Sequence, residues 1–189
     1  MSEINEITAI EVSNRNLSTI LVPIDGSKSS MKALEFAIDL AVKYKSRICI
    51  VNVIPTYQLC HWFTVSGGIF CSNSIFVPSV IMREMEKESK SLLISALTLV
   101  RSIGIESYAI IGEGYPANEI VRIANEENID LIVIGSENPN IFVRILFGSI
   151  SQSVARKAPC SVLIVKREEK RGGHLSNRER KAKKANSKI

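Results

Sequence analysis

Five short, nearly continuous aliphatic runs alternate along this chain with segments in which apolar residues recur every three or four positions. The first pattern is typical of parallel strands covered on both faces, and the second of amphipathic helices. The predicted strands are 18–24, 47–54, 105–111, 131–134 and 161–165. Helices are predicted after Ser27, from Pro78 to near Gly104, from Pro116, and over 149–157.

The alternation of strands and helices determines the predicted fold class. Strand–helix–strand units connect parallel neighbours by right-handed crossovers, which place helices on both sides of the sheet. We therefore expect a doubly wound α/β domain with a five-stranded parallel sheet over residues 18–166. Residues 1–17 are polar and are predicted to form a loose arm, and 167–189 to form a basic disordered tail.

The end of the fourth predicted strand has the features of a phosphate site. We expect Gly135 to permit a sharp turn at the strand end and the close approach of a ligand. The pair Gly148-Ser149 then begins a helix, with Ser149 suited to the N-cap position and followed by Ile150 and Ser151. The free backbone N–H groups and the dipole of such a helix start attract phosphate.

Asp25 follows the first predicted strand, in the sequence Asp25-Gly26-Ser27. Ligands of doubly wound sheets bind beyond the carboxyl ends of the strands, where the strand order reverses. If the first and fourth strands are neighbours there, Asp25 could bind a ribose or help to hold a metal ion on phosphates. It could equally cap the start of the following helix, and the two roles are compatible.

Residues 55–78 interrupt the regular order with a segment that contains no Asp, Glu, Lys or Arg. It holds Trp62 and three of the six phenylalanines, and a connection of this length in a compact domain is usually functional or mobile. Three interpretations remain open. The segment folds onto its own domain, covers a ligand as the element that moves, or presents a surface to a protein partner.

The net charge of +5 comes from the tail. Residues 167–189 contain nine basic and three acidic residues, a charge of +6, which leaves −1 for the rest of the chain. Charge therefore does not indicate a nucleic-acid-binding domain. The basic run 178–184 is typical of a solvated end, and binding of nucleic acid or an anionic surface is the minority interpretation.

The remaining composition favours a cytoplasmic protein without a metal centre or a histidine-based catalytic site. No run approaches the roughly 18 apolar residues of a transmembrane segment, and the acidic start does not resemble a secretory signal. The four cysteines are too scattered for a disulfide scaffold. His61 and His174 both lie outside the predicted core, and Cys60, His61 and Cys71 fall short of a closed zinc site.

Across residues 18–166 the chain resembles the universal stress protein family. The resemblance rests on residues 20–27 (ILVPIDGS), on Gly114-Tyr115-Pro116, and on 158–165 (APCSVLIV). The ATP-binding branch of the family has Gly, two residues, Gly, nine residues and then Gly-Ser. This chain has Gly135, then Asn138 in place of the second glycine, and then Gly148-Ser149. Asn tolerates positive φ better than most residues, although Pro139 restricts its backbone.

The resemblance implies a Rossmann-like (adenine nucleotide alpha hydrolase-like) fold that binds ATP with its magnesium ion, or AMP or another adenine nucleotide. It places adenine near Pro23, Ile24, Asp25 and Val53. It places the phosphates near the residues of the glycine pattern and of the following helix start, which are Gly135, Asn138, Gly148, Ser149, Ile150 and Ser151.

The resemblance also implies a homodimer formed through the edge strand that includes Val162 and Val165, and a regulatory or sensor role in stress response. One alternative is a slow ATPase or self-phosphorylating enzyme in which Asp25 and a bound metal assist, although no clear base is present to orient water. A second alternative is a nucleotide-free interaction protein, which is the direction in which Asn138 points.

Overall fold

The computed structural model describes residues 17–56, 79–136 and 149–166, and within them five strands alternate with four helices. The strands are β1 (Thr19–Pro23), β2 (Arg47–Ile54), β3 (Ser107–Glu113), β4 (Leu131–Ser136) and β5 (Ser161–Lys166). The helices are α1 (Lys28–Tyr44), α2 (Ser79–Ser102), α3 (Pro116–Glu126) and α4 (Ser149–Lys157). Residues 1–16 of the arm, residues 57–78 of the uncharged segment, residues 137–148 and the basic tail lie outside the described residues.

The strands form one parallel sheet in the order β3-β2-β1-β4-β5. The chain adds β2 and β3 on one side of β1 and then returns to add β4 and β5 on the other side. Because the direction of winding reverses between β1 and β4, the connections leave these strands in opposite directions and open a crevice at their carboxyl ends. The predicted fold class, a doubly wound α/β domain, is confirmed.

Two hydrophobic cores lie on opposite faces of this sheet. Helices α1 and α2 cover one face, where Leu34 and Val100 pack with Ile20. Helices α3 and α4 cover the other face, where Ile123 packs with Leu21. Successive side chains of a strand point to opposite faces, so neighbouring residues of β1 enter different cores. None of the described helices combines the length and the apolar character needed to cross a membrane.

Among the described strands, β2 alone has the predicted bounds, and the other four differ by one or two residues at one or both ends. Strand β3 starts at Ser107, two residues late, because the backbone N–H of Ile105 still bonds to the carbonyl of Val100 at the end of α2. Strand β4 continues through Gly135 to Ser136 and pairs there with the end of β5. The expected sharp turn at Gly135 is therefore absent.

Candidate functional site

A cavity of about 680 Å³ lies beyond the carboxyl ends of β1, β2 and β4. Its walls come from the β1–α1 turn, the end of β2, one side of α2, the start of α3 and the first turn of α4. The volume is within the range of pockets that bind small molecules. The cavity therefore occupies the place that the reversal of strand order predicts for a ligand.

Seven of the ten residues predicted for the ligand site line this cavity. They are Pro23, Ile24, Asp25, Val53, Gly135, Ile150 and Ser151. Asn138 and Gly148 lie outside the described residues. Ser149 begins α4, and its backbone position at the helix start is the one predicted. The structure thus brings the two strand ends singled out in the sequence to one crevice.

The turn between β1 and α1 is held by serine hydroxyls. Ser27 is the N-cap of α1, and its Oγ accepts a hydrogen bond from the backbone N–H of Ser30 at 3.2 Å. The Ser30 hydroxyl donates to the Ser27 carbonyl at 3.0 Å and accepts from the Asp25 N–H at 3.3 Å. Gly26 between them has φ of 79°, which a residue with a side chain rarely adopts. The turn is therefore fixed by its own sequence before any ligand is considered.

Asp25 is exposed at the rim of this turn, and its Oδ1 accepts a hydrogen bond from the Ser27 N–H at 3.0 Å. Partial burial by itself would raise the pKa of this carboxyl, but hydrogen bonds from Ser27 and Ser30 outweigh it and hold the pKa below its usual value. Asp25 is therefore a carboxylate at neutral pH. The observed bond agrees with the predicted capping role, and the exposed carboxylate lies in the cavity wall, where a ligand hydroxyl or a cation can reach it.

Gly135 is required by the packing of α1 against β4. A Cβ at this position would lie 2.5 Å from the carbonyl carbon of Ser29 and 2.8 Å from the backbone nitrogen of Ser30, and closer still to the Ser29 oxygen. Contacts this short with backbone atoms cannot be relieved by a side-chain rotation. The absence of a side chain therefore lets the first turn of α1 approach the strand, which is a different reason from the turn that we expected.

The first turn of α4 forms the opposite wall of the cavity. Ile150 is exposed and Ser151 is buried, and both line the cavity. The first N–H groups of a helix have no carbonyl partners within it, and they carry the positive end of its dipole. Arg156 and Lys157 lie in the last turn, where they complement the negative end. This wall suits a phosphate group.

Asn52 and Ser89 are polar residues of the cavity wall that were not predicted from the sequence. The Asn52 side chain, near the end of β2, donates from Nδ2 to the carbonyl of Ile24 at 2.7 Å and so holds the β1–α1 turn against β2. Ser89, on α2, lies among apolar neighbours in the wall. Asn52 interrupts an otherwise aliphatic strand, which is a signal that sequence reasoning could have used.

The charged residues among the described part of the cavity wall are Asp25 and Glu88, and both are acidic. A ligand with several free negative charges would be repelled by them in a site of reduced dielectric constant. The wall therefore favours a ligand whose phosphate charge is small or is neutralised by a bound cation.

Strand β5 forms one edge of the sheet. Val162, Leu163 and Ile164 are only half-buried there, and Val165 is buried. An aliphatic edge strand presents unpaired backbone groups that favour pairing with another chain. The strand predicted to form a dimer contact therefore has the position and character that such a contact needs.

Comparison with known proteins gives one consistent answer. The sequence model of the universal stress protein family matches residues 16–62 and 75–166. The chain is similar to a universal stress protein of Methanocaldococcus jannaschii, with 30% identity over 80% of this chain and 83% of that protein. It is also similar to the universal stress protein YxiE of Bacillus subtilis, with 32% identity over 78% of this chain and 97% of that protein.

The solved structures agree on the fold. The crystal structure of a universal stress family protein from Burkholderia pseudomallei superposes with a TM-score of 0.60 at 24% identity, over 80% of this chain and 97% of that one. At this identity the likeness concerns the fold alone, and membership rests on the sequence matches. The chain belongs to the universal stress protein family.

Proposed function

We propose that this chain binds an adenine nucleotide in the cavity, with the phosphates at the start of α4 and the base between the ends of β1 and β2. The observation that carries this proposal is that one cavity joins two chemically different walls. The first turn of α4 offers backbone N–H groups to an anion. Pro23, Ile24 and Val53 offer an apolar surface to a flat ring.

Solved members of the fold support the choice of base. Three universal stress protein structures are described as complexes with cAMP, with AMP (from Arabidopsis thaliana) and with dAMP (from Archaeoglobus fulgidus). They superpose with TM-scores of 0.55, 0.59 and 0.54 at 22%, 19% and 23% identity. All three ligands combine adenine with a single phosphate, which suits a cavity whose described charges are acidic. We propose that ATP binds as its magnesium complex, for the same electrostatic reason.

Thermal unfolding with and without nucleotide tests this function. A ligand that binds only the folded state at a hundredfold excess over Kd adds about 2.7 kcal/mol to the free energy of unfolding. For a chain of this size the expected rise in Tm is about 5–10 °C. We expect such a rise with AMP, cAMP and Mg-ATP, and a smaller rise with ATP when magnesium is removed by a chelator.

Guanosine and cytidine monophosphates are the controls for this measurement. Equal rises with all the nucleotides would indicate a phosphate site without base recognition. No rise with any nucleotide at millimolar concentration would reject nucleotide binding and would favour the nucleotide-free interaction protein.

We further propose that the protein acts as a homodimer through β5, as a regulatory sensor in which nucleotide binding changes the assembly. A ligand shifts such an equilibrium only when it binds one state more tightly than the other.

Sedimentation velocity is expected to give a dimer that Ile164→Lys converts to a monomer, because a lysine on an edge strand opposes pairing. Mg-ATP is expected to shift the dimer fraction. A monomeric wild-type protein would contradict the dimer, and an unchanged fraction would contradict the sensor role.

A further inference from the structure

Among the residues that the structure describes, the buried hydroxyl of Ser89 in the cavity wall has no hydrogen-bond partner. The buried residues of α2 are Ser89, Leu93, Ala96 and Val100, which follow one face of the helix. Leu93, Ala96 and Val100 belong to the hydrophobic core, whereas Ser89 lies at the end of the face where the helix leaves the core and borders the cavity. A serine at this position contributes less to core packing than an apolar residue would.

The Ser89 side chain is also energetically unfavourable as it stands. Ser89 is 5% exposed, and its Oγ has no hydrogen-bond partner within residues 17–56, 79–136 and 149–166. A buried hydroxyl without a partner destabilises the folded state, because it has given up its bonds to water. Alanine would avoid this loss and has a higher helix propensity. Neither the helix nor the core therefore explains a serine at this position.

A ligand in the cavity could supply the missing partner. Met85 and Leu92 line the cavity from the turns on either side of Ser89. A single torsion, χ1, directs the Ser89 hydroxyl, so a rotamer change redirects Oγ without a movement of the helix. This wall of the cavity borders the end of β2, on the side of the sheet away from α4, and is therefore the place of the base and not of the phosphates.

The polar groups around Ser89 indicate which ligand atom fits. Glu88 offers only carboxylate oxygens, which accept hydrogen bonds. The Asn52 side chain uses one of its two N–H groups on the Ile24 carbonyl, and its own carbonyl oxygen is a further acceptor. This end of the cavity therefore presents acceptors to a ligand that brings a donor. We infer that Ser89 Oγ accepts a hydrogen bond from the exocyclic amine of bound adenine and makes the site selective for a base that carries this amine. The inference rests on the proposed function.

A comparison of AMP with purine riboside 5′-monophosphate, which differs only by the absence of the amine, tests this role. Binding is measured by calorimetry for wild type and for Ser89→Ala. Wild type is expected to bind AMP about fivefold more tightly than the analogue, the effect of one hydrogen bond. Ser89→Ala is expected to bind both nucleotides equally, at the wild-type affinity for the analogue.

The chain provides a matched control in Ser107. Its Oγ is likewise buried without a partner in the described part of the chain, but the residue lies at the start of β3 and outside the cavity wall. Ser107→Ala is expected to retain the preference for AMP. Both alanine variants are expected to unfold at or above the wild-type Tm, since each removes an unpartnered hydroxyl. Ser89→Cys, which keeps the side-chain size with a far weaker acceptor, serves as a second variant and is also expected to lose the preference.

The outcomes separate this inference from the proposed function. A preference for AMP that persists in both Ser89 variants would overturn the role of Ser89 and leave nucleotide binding intact. Equal binding of the two nucleotides by wild type would overturn it as well. Absence of any nucleotide binding by wild type would reject the proposed function, and the inference with it.

Discussion

Gly135→Ala is expected to lower the free energy of unfolding by about 3 kcal/mol, the upper end of the usual cost of overpacking. The added Cβ would meet the backbone of Ser29 and Ser30 at 2.5 and 2.8 Å, so α1 must move away from β4 as a unit. This movement would also displace the Asp25–Ser27 turn. We therefore expect a fall in Tm of about 6–12 °C in thermal unfolding, together with a large loss of nucleotide affinity.

Gly112→Ala is the control for this substitution. Gly112 is also a buried strand glycine, but a Cβ there would come no closer than 3.3 Å to the side chain of Val53 and 3.4 Å to that of Glu119. These side chains can shift slightly, so we expect a change of less than about 1 kcal/mol. Equal free energies of unfolding for the two variants would show that α1 tolerates a side chain at position 135. The close approach of α1 to β4 would then not be required for stability.

The fold could be predicted from the sequence because the strands and the helices that cover them differ in the periodicity of their apolar residues. Strands such as β4 are covered on both faces and therefore appear as nearly continuous aliphatic runs, whereas the covering helices show one apolar face. The N-cap at Ser27 and the start of α4 at Ser149 are likewise local features of the sequence. The two strand ends with these features meet because parallel strands end at the same side of a sheet.

The features that were not predicted depend on contacts between distant parts of the chain. The role of Gly135 is determined by the approach of Ser29, more than 100 positions earlier in the chain. That Ser89 Oγ has no partner among the described residues can be seen only from the three-dimensional arrangement of its neighbours. A pattern of apolar positions shows which face of a helix is buried, but not whether a polar residue on that face finds a partner.

Ile150→Asp is expected to weaken the binding of AMP by about ten- to a hundredfold. Ile150 lies in the first turn of α4 and lines the cavity, and no acidic residue is present in that turn. A carboxylate there would oppose a bound phosphate by about 1.4–2.8 kcal/mol at a separation of about 6 Å and an effective dielectric constant of about 20–40. The same charge interacts favourably with the helix dipole, so the Tm of the ligand-free variant is expected to be unchanged or slightly higher.

Ile150→Asn separates the effect of charge from that of shape, since Asn and Asp are nearly isosteric. The affinity for AMP is expected to be much lower in the Asp variant than in the Asn variant. The affinity for adenosine, which has no phosphate, is expected to be the same in both. Equal binding of AMP by the two variants would place the phosphate away from α4. If the affinity for adenosine fell to the same extent as the affinity for AMP, the result would show instead that Ile150 contacts the base. Adenosine carries no negative charge and therefore does not respond to the charge of residue 150.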